Sequence, residues 1–301
     1  MKEYFIKFIG SILILCFFFT AIIVFFSGIF FISSMIIPKV VVIDIDGSIR
    51  SGFGGNSMIG SSVCGADDVI ASMRKIEKDN NVKAVIVRIN SPGGTVGAAQ
   101  EIYSEIKRLR FKGKLVVASG ADIMASGAYY IASACDRIFV NPGTLVGSIG
   151  VIMSITDLTE ITKKIGVSEV VFKSGEFKDI GSSTRHVTPK ERKIIQDIID
   201  KTYDQFLTDV ANSRKIKKEK LRKIADGRVF PGRESIKLGL ADQEGSLTDS
   251  LEYIKKKLGL WKIHIIRNIN GIPFPQYLLS KFGFEFSGLN EQPFSLKYIM
   301  K

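Results

Sequence analysis

Ser126 is a side chain whose setting would suit a nucleophile. It lies in ADIMASGAYY (121–130), between Ala125 and Gly127, with Asp122 the one charged residue of the stretch. Two readings of this hydroxyl are open. At the start of a helix it could accept a backbone N–H and serve as an N-cap. At the positive end of a helix dipole, beside the free N–H of Gly127 and between small neighbours, it could instead attack a peptide carbonyl. Attack needs a base. The chain has two histidines, His186 in GSSTRHVTPK and His264 near the C-terminus, and neither has an acid at an evident orienting spacing. A Ser-His-Asp triad is therefore poorly supported. A lysine kept neutral by burial is the usual alternative, because desolvation can lower an amine's pKa by up to about 3–5 units. Lysines abound. Lys178 in KSGEFKDIG (173–181) follows an expected strand and a glycine turn, while Asp179 beside it could equally make it half of a surface ion pair.

Three glycine-containing turns frame the same chemistry: INSPGG (89–94), ASGA (125–128) and VGSIGV (146–151). In a parallel sheet such strand ends gather along the carboxyl edge, where ligands bind. Glycine there lets a backbone come close to a substrate and presents its N–H groups.

The elements that must position these turns alternate. KVVVIDID (39–46), VKAVIVRIN (82–90), KLVVASG (114–120), RIFVNP (137–142) and SEVVFKSG (168–175) read as strands. ADDVIASMRKIEKD (66–79) and VGAAQEIYSEIKRLR (96–110) read as amphipathic helices. A long helix starts at Pro189, with Thr188 and Glu191 spaced as a capping box and Ile194, Ile195, Ile198, Ile199, Phe206 and Val210 as its buried stripe. The expected fold class is α/β with a mostly parallel sheet covered on both faces. One domain spans residues 39–260. The tail 261–301 is apolar without helical periodicity, which suits a strand or an arm packed on a neighbouring subunit.

From Phe8 to Pro38 the chain carries no charge and is mostly Phe, Ile, Leu and Val. That exceeds the roughly 20 apolar residues a spanning helix needs, and it is too long for the core of a signal peptide. Residues 1–38 read as an uncleaved N-terminal transmembrane anchor. Lys2 and Lys7 before it favour a cytoplasmic N-terminus, with the remainder on the outer side. The net charge of +12 comes from scattered residues, many on helices such as SRKIKKEKLRK (213–223), without the aromatic interleaving that stacks bases. Nucleic acid is not the expected partner. No spacing suggests a metal site, and Cys64 and Cys135 read as buried thiols or as partners.

Taken in order behind the apolar stretch, INSPGG, ASGAYYIASACDRI, GSIGV, KSGEFKDIG and IADGRVFPGRESIKLGLADQEG (224–245) resemble the signal peptide peptidase A family. These are membrane-anchored serine proteases of the Clp-protease/crotonase fold. The match is to the short bacterial form and runs from about residue 38 to residue 258. The resemblance implies Ser126 as nucleophile, Lys178 as general base and Ser148 as the hydroxyl that helps hold the lysine amine. It implies an oxyanion hole from the backbone N–H groups of Gly94 and Gly127, in keeping with the two donors about 3 Å from a developing oxyanion that acyl transfer calls for. Ile123 and Met124 depart from the family's small residues before the nucleophile and would reshape the substrate groove. Arg228 and FPG (230–232) look structural.

The resemblance further implies a dome-like octamer whose sites take serine and lysine from adjacent protomers, held at the inner membrane with the catalytic domain outside the cytoplasm. Its substrates would be apolar peptides such as cleaved signal peptides, with no cofactor. Three rival readings stand beside this one: a related anchored peptidase cutting a specific membrane protein, a crotonase-like acyl-CoA enzyme, and a non-catalytic oligomeric scaffold.

Overall fold

The computed structural model describes residues 17–25, 37–56, 62–268 and 297–299. The apolar stretch Phe8–Pro38 lies largely outside these residues. Within it, residues 17–25 are helical (α1), and among the described residues no helix is long and apolar enough to cross a membrane.

β1 (Lys39–Asp46), β2 (Ser48–Arg50), β3 (Gly55–Asn56) and β4 (Ser62–Gly65) lead to α2 (Ala66–Lys78). β5 (Val82–Ser91) and β6 (Gly93–Thr95) lead into α3 (Val96–Phe111). β7 (Leu115–Ala125), α4 (Gly127–Ser133), β8 (Arg137–Val140) and β9 (Leu145–Gly147) follow. The later elements are α5 (Thr159–Lys164), α6 (Pro189–Arg214), α7 (Lys218–Arg222), β10 (Val229–Pro231), α8 (Gly232–Lys237), β11 (Gln243–Glu244), α9 (Leu247–Leu258), β12 (His264–Asn268) and β13 (Lys297–Ile299).

The main sheet runs β10-β9-β7-β5-β1-β12, with β8 joined to β7 and β11 to β8. All its pairings are parallel except β9 with β10. A parallel sheet needs cover on both faces, and the strand sequences provide for it. Along β1, Val41, Ile43 and Ile45 join the cluster under α2, α3 and α4, while Val40 and Val42 face the smaller cluster containing Ile254 of α9. A second, smaller sheet, β13-β6-β2-β4-β3, carries the PGG turn. The α/β class with a mostly parallel sheet is thus observed.

α4 is the buried pivot of the fold, and every one of its residues is buried. Tyr130 packs on Tyr103 of α3 with ring centroids 4.5 Å apart, and edge-on against Phe206 of α6 at 5.1 Å. Burial of a phenol requires a partner for its hydroxyl. Tyr130 donates to Asp209 Oδ2 at 2.5 Å and Tyr129 to the Leu240 carbonyl at 2.9 Å.

Two expectations change. Residues 168–175 form no strand; they are irregular and exposed, with Phe172 93% and Val170 75% accessible. Their β-branched composition finds no strand edge within the described chain, and composition alone cannot make a strand. The stripe of α6 is buried only in its second half, at Phe206, Leu207, Val210 and Ala211, while Ile198 is exposed and Ile194, Ile195 and Ile199 are half-buried. In the tail, β12 adds to this chain's own sheet beside β1 and β13 pairs antiparallel with β6. Residues 269–296 lie outside the description.

The start of α6 is as the sequence indicates. Thr188 Oγ1 accepts from the Glu191 N–H and Glu191 returns an acceptor to the Thr188 N–H, closing the capping box. The Arg185 guanidinium and this backbone contact pull the Glu191 carboxyl down from 4.5 to about 2. A depressed carboxyl stabilises the native state above its unfolded value, and that contribution is lost as pH falls toward the folded value. Glu191→Gln is therefore expected to lower the melting temperature at neutral pH and to flatten its decline between pH 4.5 and about 2, followed by circular dichroism.

Candidate active site

Ser126 stands where β7 stops and α4 starts, and its backbone is unusual. Its φ of 55° and ψ of −123° belong to a region that residues with a Cβ rarely adopt. Such conformations cost on the order of 1–3 kcal/mol and persist where the surroundings impose them. Here the Ser126 N–H donates to the Gly147 carbonyl at 2.7 Å, and its own carbonyl accepts from Tyr130 at 2.9 Å. The turn is pinned on both sides. A serine on a sharp strand-to-helix turn presents its hydroxyl outward from the helix start rather than capping it.

The side chain bears this out. Ser126 does not cap α4, and its Oγ is buried without a hydrogen-bond partner. A buried polar atom left unpaired costs about 1–3 kcal/mol. Strain and an orphaned hydroxyl at one residue have no structural benefit. Together they make Ser126 the candidate functional group of this turn.

Three non-glycine residues among those described have positive φ. Lys215 is the left-handed C-cap of α6, an ordinary place for it. The others are Ser126 and Ser148, whose φ is 50°. The two serines are coupled through the backbone, since Gly147 accepts from Ser126 and Ser148 donates to the Arg228 carbonyl at 2.8 Å. Arg228 itself is clamped by Asp226, with its guanidinium at 2.5–2.9 Å from the carboxylate. Val229–Pro231 then runs antiparallel to β9, so this segment braces the Ser148 turn. Ser148 opens onto a cleft of about 600 Å³, bounded by residues 148–152, by Tyr203 of α6 and by the 225–227 turn.

Gly127 is the first residue of α4, and an N–H at that position has no acceptor within the helix. Gly94 lies in β6, which packs against α4. A Cβ at Gly94 would stand 1.8 Å from the Ile49 carbonyl oxygen, so only glycine allows β6 to lie against β2 there. Gly93, at φ 104°, turns the chain before it, with its N–H bonded to Ser91 Oγ at 3.1 Å.

Lys178 is joined to Ser126 by no hydrogen bond within this chain. It lies on the exposed loop after residues 168–175, and its side chain makes no hydrogen bond or ion pair among the described residues. The ion pair with Asp179 that the sequence allowed is absent, because Asp179 is taken by Lys173 and Arg185. Histidine does not supply the base either. His186 has an acidic partner that its sequence context did not reveal, Asp157 at 2.7 Å, yet the pair is exposed and Ser126 Oγ bonds to neither. His264 lies on β12, at the opposite edge of the sheet from β9. Cys64 and Cys135 are free and buried, and desolvation pushes the Cys64 thiol up to about 12 and the Cys135 thiol further. Neither is poised as a nucleophile. No cluster of metal-ligating side chains occurs among the described residues.

Known proteins share this arrangement of sequence. A profile of Peptidase family S49 matches residues 108–260, and one of Clp protease matches residues 59–155. A protein of Synechocystis sp. provisionally named as a protease is 42% identical over 201 residues, covering 67% of this chain and 72% of that protein. One of Enterococcus faecium, provisionally named signal peptide peptidase, is 31% identical over 232 residues, covering 77% and 67%. Protease 4 of Haemophilus influenzae is 33% identical over 213 residues, which make up 71% of this chain but 34% of that longer protein. With a family profile across half its length, taking in both positive-φ serines, and two relatives matched over about two thirds or more of theirs, the chain belongs to peptidase family S49 and is a serine protease.

Proposed function

We propose that this chain is a membrane-anchored serine endopeptidase in which Ser126 is the nucleophile and Lys178 the general base, acting on apolar peptides such as cleaved signal peptides. The observation that carries the reading is the strained backbone and unpartnered buried hydroxyl of Ser126. The neutral amine of Lys178 takes the Ser126 proton as Oγ attacks the peptide carbonyl. Gly94 and Gly127 donate backbone N–H groups to the oxyanion, and Ser148 orients the amine. Lys178 then protonates the leaving amine as the C–N bond breaks. Water, deprotonated by the same amine, hydrolyses the acyl-enzyme. No metal or cofactor takes part.

The exposure of Lys178 argues that the site is completed between copies. A base that must be neutral needs a dry setting, and this loop is solvated in the lone chain. The chain just before it carries exposed Ile165, Val167, Val170, Val171 and Phe172, apolar surface of the kind that marks a subunit contact. The unburied half of the α6 stripe is a second such surface. The proposed assembly is a ring, by resemblance an octamer, in which each Ser126 meets the Lys178 of a neighbour. The name of the Enterococcus faecium relative supports the substrate class. Residues 1–38 would span the inner membrane, and residues 39–260, with β12 completing their sheet, form the catalytic domain outside the cytoplasm.

Two measurements check this. Ser126→Ala and Lys178→Ala should each reduce cleavage of a fluorogenic apolar peptide by at least about 10³-fold in detergent while leaving the fold intact by circular dichroism. Full activity in either variant would remove that residue from the chemistry. Co-expressing the two inactive variants at equal levels should restore about a quarter of wild-type activity, because a quarter of randomly assembled shared sites hold both intact groups. Sites confined to one protomer would restore nothing.

A further inference from the structure

Three carboxylates lie in or beside the Lys178 loop, and each is already engaged. Glu176 pairs with Lys190 of α6 at 3.1 Å. Asp179 receives Lys173 Nζ on Oδ1 at 2.6 Å and Arg185 Nε on Oδ2 at 2.9 Å. Glu191, buried in the first turn of α6, receives Arg185 Nη1 and Nη2 at 2.9 and 2.5 Å. Farther along the same segments Glu169 accepts from Thr184, and Asp157 is paired with His186. The cations of the cluster are Lys173, Lys178, Arg185 and Lys190, and among the described residues Lys178 alone of these has no partner for its side chain.

Arg185 is the joint of the arrangement. Besides the two carboxylates, its Nη2 donates to the Asp179 carbonyl at 3.2 Å and its Nη1 to the His186 carbonyl at 3.2 Å. With five N–H groups available, a guanidinium making all these contacts is saturated. One side chain thus ties the residue after Lys178, by carboxylate and backbone both, to the capped start of a 26-residue helix. Lysine could not make this planar double fork.

We infer that Arg185 is a positioning residue of the proteolytic reaction: it clamps the Lys178 loop to α6 and, with Lys173, holds the Asp179 carboxylate where it cannot pair with the Lys178 amine. The inference rests on the reading of Lys178 as the base. A base must be neutral to accept the serine proton. A carboxylate within about 4–6 Å favours the ammonium and raises its pKa by about 1–3 units. Asp179 adjoins Lys178 in the chain, so loss of its other partners would free a carboxylate to pair with the amine and hold it as the charged ammonium.

The test is the pH dependence of kcat/KM of the full-length protein in detergent on a fluorogenic apolar peptide. Arg185→Gln should move the acid limb up by about one pH unit, losing about tenfold at neutral pH and recovering toward wild type in alkali. Arg185→Gln combined with Asp179→Asn should bring the limb back to that of the wild type, since the freed anion is gone. Lys173→Met, on an exposed loop, should move the limb in the same direction by a smaller amount, and it serves if Arg185→Gln fails to fold. A loss uniform across pH in Arg185→Gln, or an unmoved limb in Lys173→Met where the arginine variant does not fold, overturns the inference. An unrescued double variant does so too. Lys178→Ala run alongside separates the two claims. Activity retained there sinks the base assignment itself, whereas an inactive Lys178→Ala with unmoved limbs sinks only the role of Arg185.

Discussion

The hydrogen bond from the Ser126 N–H to the Gly147 carbonyl is the contact on which the site depends. It fixes a left-handed serine at the end of β7, starts α4 at Gly127 and sets the neighbouring Ser148 turn in one stroke. Two peptide units in uncommon conformations support each other across adjacent parallel strands. Each costs on the order of 1–3 kcal/mol. The cost is met by a buried helix with aromatic rings on two sides and by β10 bracing β9 from beyond.

That constraint explains why the surrounding residues are small. Gly94 has no room for a Cβ against Ile49, and Gly232 would put one 2.0 Å from the Asn141 carbonyl. Backbones approach closely at both positions, and no side chain fits between them. Lys178, by contrast, is carried on an exposed loop, and charge pairs to the start of α6 anchor that loop.

Much of this was readable in the residues before any coordinates. β1, β5 and β8 follow from β-branched runs, α2 and α3 from their periodicity, and the start of α6 from Thr188, Pro189 and Glu191, because each of those signals is local. Ser126 stood out for the same reason, being set among small residues at a strand end. What was not legible depends on contacts across the chain. Residues 168–175 have the composition of a strand but no edge to join, so pattern without a partner misled. The partner of His186, Asp157, lies 29 positions away, and nothing in spacing announces it. The fate of Asp179 turned on Arg185, six residues on, whose reach around a turn is a property of folded geometry.

The exposed run from Val167 to Phe172 has a meaning for the life of the protein before it works. A copy without neighbours would show an irregular, greasy segment to water, the form of chain that chaperones and housekeeping proteases grip. In the proposed assembly, surplus copies would thus carry their own label for removal, one that vanishes when a companion covers it.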